Sequence, residues 1–159
     1  MGLKERATRL AILFSIIVTA IGIPAAPLVE ATNIGNEGCT PGYWKNHTSN
    51  WEDYSPTQTL DDLFNFPDTL ASFRDDTLLQ ALSYPGGSGL EGGARILLRA
   101  AVAAFLNAAH EGLGYPYRRF DEPFNIEAQV NDALDGTRAE MLALAGTLDA
   151  ANNLGCPLD

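Results

Sequence analysis

The sequence predicts an all-α fold: a compact bundle of short helices around one buried central helix at about 94–110. Apolar residues recur at helical spacing, and hardly any stretch shows the alternation with β-branched residues that is typical of strands. The central segment is rich in alanine and leucine around its whole circumference, as expected of a buried helix. The two cysteines, Cys39 and Cys156, lie near the two ends of the expected domain, so a disulfide would tie an irregular N-terminal segment to the C-terminus.

Residues 1–31 have the features of a secretory signal peptide. Three cations precede an apolar run at 10–23, and a small-x-small cleavage site ends at Ala31. The apolar run is shorter than the roughly 20 residues that span a bilayer, and Pro24 would end a helix there. We therefore expect cleavage rather than a retained membrane anchor. The product would be a secreted, extracellular (cell-surface) protein with a single helical domain at 32–159 and no stable membrane insertion.

The chain is acidic, with 20 Asp and Glu against 10 Lys and Arg and a formal net charge of −10. Removal of 1–31 would leave Lys45 as the only lysine and would make the net charge of the remaining chain more negative. A surface of this charge repels nucleic acid and anionic lipid. The composition therefore excludes DNA, RNA and anionic membranes as partners.

Two cysteines in an exported chain most simply form one structural disulfide. A bridge between Cys39 and Cys156 would close nearly the whole domain into one loop, for which loop-closure entropy gives about 4–5 kcal/mol. Two free thiols, or a disulfide between two molecules, are the alternatives. The Cys-x-x-Cys redox spacing is absent, and two cysteines alone do not make a zinc site.

Before the central helix, the sequence predicts irregular structure followed by short helices. Glycine and proline recur through 32–54, which predicts turns and irregular structure there. Ser55-Pro56-Thr57-Gln58 has the pattern of a capping box that starts a helix, and Phe66-Pro67 would end it. Short helical turns are expected at 68–73 and 77–83.

A glycine-rich loop at 84–93 is expected to introduce the central helix. Helix N-termini attract phosphate, but this loop lacks the Gly-Lys-Ser/Thr ending of a P-loop and no strand precedes it. We therefore interpret it as a connector. Two further helices are expected after it, from Asn125 to about Leu134 and from a capping box at Thr137–Glu140 to the region of Gly155.

One polar and aromatic cluster is the candidate ligand site. Lys45, Asn46 and His47 leave the turn after Cys39 together, and four polar residues are predicted to share one stripe of the central helix: Arg95, Arg99, Asn107 and His110. The nearby aromatic residues offer a surface on which a sugar or peptide ring could stack. The candidate ligand-binding set is Tyr43, Trp44, Lys45, His47, Trp51, Arg95, Arg99 and His110. In the alternative interpretation, the tryptophans anchor the core and the cations meet acids and helix-end carbonyls.

Other chemical signals are weaker. Asn46-His47-Thr48 matches the N-glycosylation sequon. No serine lies in a nucleophile-elbow context, and no His-x-x-x-His pair or EF-hand loop is present. The acidic pairs Asp61-Asp62 and Asp75-Asp76 are more typical of solvated helix starts than of metal ligands. We therefore predict no catalytic residue, no metal and no cofactor.

Three segments carry a resemblance. They are Cys-Thr-Pro-Gly-Tyr-Trp-Lys-Asn-His at 39–47, Leu-Ser-Tyr-Pro-Gly-Gly at 82–87 and Ala-Ala-Asn-Asn-Leu-Gly-Cys-Pro-Leu at 150–158. Together they resemble a group of microbial exported proteins that open with a Cys-Thr-Pro-Gly-aromatic-Trp-Lys-Asn-His block and end in Gly-Cys-Pro. The resemblance implies export and an end-to-end disulfide, and it implies no particular chemistry.

The sequence favours a secreted, non-enzymatic structural or assembly module of the cell surface or of an extracellular filament. Its partners would be copies of itself or other cell-surface components. The alternative is an extracellular glycan- or peptide-binding module that uses the aromatic and cationic cluster. A secreted hydrolase is the third hypothesis, which a cleft holding His47 or His110 beside an acid would support.

Overall fold

A computed structural model describes residues 35–120 and 125–158, so the predicted signal peptide lies outside the described residues. These two ranges contain five α-helices in chain order: α1 (Pro41–Asn46), α2 (Leu78–Ala81), α3 (Gly89–Ala109), α4 (Ile126–Asp135) and α5 (Arg138–Asn152). Three 3₁₀ helices lie between α1 and α2, at Thr48–Asn50, Leu60–Asp62 and Asp68–Phe73. The described ranges contain no strand, only two isolated bridges. The all-α prediction is confirmed.

The α3 helix is the centre of the core. Its buried residues lie on nearly every face of the helix, and the largest of them are Leu97, Leu98, Phe105 and Leu106. The α5 helix packs along α3 most extensively, and α4, α1 and α2 complete the enclosure. By length and composition α3 could cross a membrane, but most of it is buried inside the protein. It is the core helix that the sequence predicts.

The α3 helix begins at Gly89, earlier than the predicted Ala94. Gly92 and Gly93 lie inside its first turns because neighbouring segments approach closely there. A Cβ on Gly92 would lie 2.2 Å from the carbonyl carbon of Gly87, and one on Gly93 would lie 2.9 Å from Cγ of Arg138. The prediction of a loop through Gly93 is therefore wrong: both glycines are helical, and the close approach of the Gly87 backbone and of the Arg138 side chain leaves no room for a Cβ.

A second difference lies in 32–54, where the sequence predicts irregular structure. Thr40 caps α1, because its hydroxyl accepts a hydrogen bond from the Tyr43 amide at 3.1 Å, and Pro41 begins the helix. A proline in the first turn loses no hydrogen bond. A helix of six residues is too short to show a periodic pattern, so the prediction missed it.

The predicted helix start at Ser55 is also wrong. Pro56 and Thr57 form a turn, and a 3₁₀ helix begins only at Leu60, with Thr59 as its cap. The carbonyl of Gln58 accepts a hydrogen bond from the Leu78 amide at 2.9 Å, and Thr59 forms a bridge with Thr77. This pairing holds Gln58 and Thr59 out of helical geometry.

The later predictions agree more closely with the structure. The short helical turns at 68–73 and 77–83 appear as a 3₁₀ helix and as α2. Asn125 caps α4, and Thr137 and Glu140 form the capping box of α5.

A disulfide between Cys39 and Cys156, 117 positions apart in the sequence, joins the two ends of the fold. Beside it, the Gly38 amide donates to the Gly155 carbonyl at 3.0 Å. Gly155 has φ of +121°, a conformation that favours glycine. The predicted tie between the irregular N-terminal segment and the C-terminus is confirmed.

Candidate functional site

A buried amide holds the opening motif against the central helix. The Asn107 side-chain oxygen accepts hydrogen bonds from the Cys39 amide at 2.7 Å and from Nε1 of Trp44 at 3.0 Å. Its Nδ2 donates to the Cys39 carbonyl and to Oδ1 of Asn152, both at 2.9 Å. These four bonds use both lone pairs and both protons of the amide. Asn107 therefore acts as a complete connector between the motif, α3 and α5.

Asn152 extends this network across the core. Its Oδ1 also accepts from the Tyr115 hydroxyl at 2.8 Å, and its Nδ2 donates to the Ala100 carbonyl at 3.0 Å. Burial raises the pKa of Tyr115 far above its ordinary value, so its hydroxyl stays protonated and remains a donor. Within the described residues, no buried side-chain nitrogen or oxygen lacks a partner. The network is fully satisfied, as a polar group inside a core must be.

The sequence places Asn107 incorrectly. It was predicted to share a solvent-facing stripe with Arg95 and Arg99, but it is only 1% exposed. At 3.6 residues per turn, the eight positions between Arg99 and Asn107 rotate the side chain by about 80° around the helix. A lone asparagine in a run of alanine and leucine is the signal that could have identified it, because a buried polar group requires partners.

The two tryptophans differ in exposure. Trp44 is 0% exposed and belongs to the hydrophobic core. Trp51 is half-buried, and its Nε1 donates to the Trp44 carbonyl at 3.0 Å. The ring of Trp44 therefore offers no face to a ligand in this structure, and Trp51 braces the segment that follows α1.

Four residues on the outer face of α1 and of the turn after it bear on the candidate site: Tyr43, Lys45, His47 and Asn50. The Tyr43 and His47 rings stack with centroids 4.2 Å apart. Nδ1 of His47 donates to the Tyr43 carbonyl at 2.8 Å, so Nε2 carries the lone pair of the neutral ring. Asn50 donates to the Tyr43 hydroxyl at 2.8 Å. Lys45 is exposed and forms no ion pair with any described residue.

The remaining candidate cations lie elsewhere. Arg95 pairs with Glu91 at 3.3 Å, and its guanidinium lies 5.8 Å from the centroid of the Phe73 ring. Arg99 donates to the Tyr84 carbonyl at 3.0 Å. Both belong to the N-terminal half of α3, whereas His110 caps its C-terminal end, about 22 Å from Arg95 along the helix. The structure therefore does not bring the two arginines to the motif, and their role in ligand binding stays a prediction.

His110 does lie beside the motif. Its ring centroid is 5.9 Å from that of Trp44, and its Nε2 lies 3.6 Å from Oε1 of Glu52. Nδ1 accepts a hydrogen bond from the Gly112 amide at 3.0 Å, so the neutral ring carries its proton on Nε2, facing Glu52. Glu52 also accepts from the Glu111 amide at 2.6 Å. This pair connects the chain after Trp51 to the end of α3.

Two surface clefts lie away from the motif. One, of about 190 Å³, is lined by Ile96, Arg99, Ala100, Leu142, Ala145, Gly146 and Asp149. The other, of about 240 Å³, is lined by Gln129, Asp132, Ala133, Glu140 and Leu144. Both are smaller than the roughly 300–1,000 Å³ typical of small-molecule sites. Arg99 is the only candidate residue among their linings.

The glycosylation sequon is at the surface. Asn46 is the last residue of α1 and is exposed, and its Nδ2 donates to the Gly42 carbonyl at 2.8 Å. Thr48 is also exposed. Across 35–120 and 125–158, no three His, Cys, Asp or Glu side chains form a group able to hold a metal ion.

Comparison with protein-family models, with curated proteins and with solved structures found no match to this chain. The resemblance to exported proteins that share its opening and closing motifs therefore stays an expectation. The site must be interpreted from its own geometry.

Proposed function

We propose that this chain is a secreted, non-enzymatic structural module that assembles at the cell surface or in an extracellular filament. The proposal rests on the observation that side chains of the opening motif, 39–47, bond to other parts of the same molecule. Cys39 is bonded to Cys156, and Trp44 is buried with its indole N–H on Asn107. Side chains that recognise a ligand leave hydrogen-bonding groups open to it, whereas these groups are satisfied inside the protein.

The position of the contacts that join the two ends of the fold supports the same proposal. The disulfide, the Gly38–Gly155 bridge and the Asn107 network all join the first described segment to the last one. A disulfide is weakly consistent with an oxidising, extracellular environment. By loop-closure entropy, a bridge across so long a loop stabilises the fold by about 4–5 kcal/mol. Such a tie suits a component that must persist outside the cell.

The test uses the protein as it is secreted. Material purified from the medium is examined by sedimentation velocity and electron microscopy over a series of protein and salt concentrations. We expect defined oligomers or ordered assemblies. Reduced and alkylated protein is the control that separates native assembly from aggregation of unfolded chains. Monomers under every condition would overturn the proposal.

A second candidate is glycan or peptide binding at the outer face of α1. It is favoured by the exposed Lys45, which pairs with no acid among residues 35–120 and 125–158, and by Nε2 of His47, which faces no partner within the same ranges. Glycan and peptide arrays with the wild type and Lys45→Ala test it, with Arg95→Ala as a control cation remote from this face. Binding lost only in Lys45→Ala supports the candidate, and unchanged binding removes it.

A further inference from the structure

We infer that residues 35–52, here called the N-terminal arm, exchange between copies of this chain, so that Cys39 of one molecule bonds Cys156 of another. The inference rests on the proposed assembly function. It supplies the partner, a second copy, and the covalent link between copies. An intermolecular disulfide is one of the alternatives that the sequence leaves open.

The arm is a small unit held together by its own contacts. Within it, Trp51 donates to the Trp44 carbonyl, Asn50 donates to the Tyr43 hydroxyl, and the Tyr43 and His47 rings stack. All of these contacts join residues of the arm to one another. The arm can therefore leave and enter its binding groove as one piece.

The groove that receives the arm is separate from it in the chain. Trp44 enters the core beside α3, Cys39 and Trp44 bond to Asn107, and Cys39 meets Cys156. Asn107 lies 68 positions after Cys39 and 63 after Trp44, and Cys156 lies 117 after Cys39. The arm of a second copy would make the same contacts with the same residues, so exchange conserves them.

The connection between arm and body is strained. Asp53 has φ of +62°, and it is the only residue other than glycine with positive φ in the described part of the chain. This left-handed conformation costs energy for any residue with a Cβ, and Asp and Asn adopt it more readily than the others. It occurs where the arm joins the body. A strained connection of this kind favours exchange of the segment it joins, because an extended connection relieves the strain.

The connection is also long enough. Residues 53–58 contain no helix, and each is half-buried or exposed. Six extended residues reach about 20 Å. An extended connection gives up the Asp53–Arg119 ion pair and the contacts of Tyr54 with Phe105 and Arg119. Exchange also forfeits the high effective concentration of a molecule's own arm, so the exchanged fraction must rise with protein concentration. Since each copy has one arm and one groove, open exchange gives head-to-tail chains, and reciprocal exchange gives closed dimers.

The covalent step is the same within and between molecules. The Cys39 and Cys156 thiols lose two protons and two electrons to a small-molecule disulfide, which is reduced to two thiols, and one S–S bond forms. Exchange must precede this step, because the bond then locks each arm in the groove it occupies.

The test determines whether the two cysteines of each Cys39–Cys156 bond come from one molecule or from two. Unlabelled and ¹⁵N-labelled mature chains, 32–159, are reduced, mixed equally and refolded at increasing concentration in a glutathione redox buffer. After alkylation and denaturation, trypsin cleaves after Lys45 and Arg138 and releases the two cysteine peptides. We expect mixed-isotope Cys39–Cys156 pairs that increase with concentration, together with a covalent ladder on non-reducing gels. Same-isotope pairs at every concentration would overturn the inference, as would a ladder joined through Cys39–Cys39 or Cys156–Cys156 bonds.

Substitutions at the hinge test its part in the exchange. Asp53→Gly removes the backbone strain and should lower the mixed fraction about fivefold, the ratio that corresponds to about 1 kcal/mol. Asp53→Val increases the backbone strain and should raise the fraction of mixed-isotope pairs. Asp53→Asn is the matched control: it has the same backbone preference as Asp at positive φ but loses the 2.9 Å ion pair with Arg119. Equal mixed fractions in the glycine and asparagine variants would contradict the hinge role.

These results separate the inference from the proposed function. Ordered assemblies that contain only same-isotope pairs would remove arm exchange and leave the assembly function in place. Mixed pairs confined to closed dimers, with no larger assembly, would support exchange and remove the filament or surface-layer role.

Discussion

Asn107 is the residue on which the attachment of the opening motif to α3 and α5 most depends. The substitution Asn107→Leu tests this with little change in side-chain volume. Leucine cannot replace the four hydrogen bonds of the amide. The Cys39 amide, the Cys39 carbonyl and Nε1 of Trp44 would each lose this partner while buried, at about 1–3 kcal/mol per group. Asn152 keeps its bond from Tyr115.

We therefore expect Asn107→Leu to lower the free energy of unfolding by about 3–5 kcal/mol, after the gain from the added apolar surface. That is a large fraction of the roughly 5–15 kcal/mol of a typical domain. Urea unfolding followed by tryptophan fluorescence measures it, since Trp44 is buried in this region. Asn153→Leu is the matched control, because Asn153 is exposed and bonds only the Asp149 carbonyl through its side chain. The control should change stability by less than about 0.5 kcal/mol.

A change below about 1 kcal/mol in Asn107→Leu would refute the reasoning. A double-mutant cycle with Trp44→Phe, which removes the indole N–H, gives a second measure. The two substitutions share one hydrogen bond, so their effects should not add. Additive effects would mean that the bond contributes little.

The remaining predictions concern packing, closure and pH. Gly92→Ala should destabilise the protein by at least about 1–3 kcal/mol, because its Cβ would lie 2.2 Å from the Gly87 carbonyl carbon. Gly146→Ala, whose Cβ would meet nothing within 4 Å, should stabilise α5 by about 0.5–1 kcal/mol. Reduction of the disulfide should lower the free energy of unfolding by up to about 4–5 kcal/mol, measured by urea unfolding with and without reductant. The backbone hydrogen bond from Thr137 lowers the pKa of Glu140 below its usual 4.5, so its stabilising effect is present above that pH and is lost as the pH falls through the lowered pKa.

Each of these has a contrary outcome. Equal stability of the two glycine variants would mean that Gly92 does not hold a close contact. Mass analysis confirms that reduction is complete. An unchanged urea midpoint in that material would mean that the buried amides, and not the disulfide, hold the two ends of the fold together. Glu140→Gln should flatten the acid limb of the stability curve, and a parallel curve would contradict the capping role.

Local signals in the sequence were enough for much of the fold. The capping box at Thr137–Glu140 predicts the start of α5, which begins at Arg138, and the helix predicted from Asn125 begins at Ile126. Caps act within one helical turn, so their partners are close in sequence and can be recognised without a structure. The central helix and the disulfide also follow from the sequence, because one depends on composition and the other on there being a single pair of cysteines.

The candidate site was less predictable. The sequence grouped His110 with Arg95 and Arg99, but only His110 lies beside the motif. It also counted Trp44 as a ligand contact, whereas the ring is buried. Whether a side chain on an alanine-rich helix faces the core depends on what packs there, and short stretches of sequence do not contain that information.

The sequence by itself determined that the fold is helical, which helix is central, where α5 begins and which two sulfur atoms can join. The tertiary structure alone decided that Asn107 meets Cys39, 68 positions away, that Gln58 pairs with Leu78 instead of starting a helix, and that α3 begins at Gly89. The physical reason is the range of the interactions. Helix caps and apolar periodicity act between near neighbours, whereas a buried amide or a close glycine contact has meaning only when distant segments are already packed together.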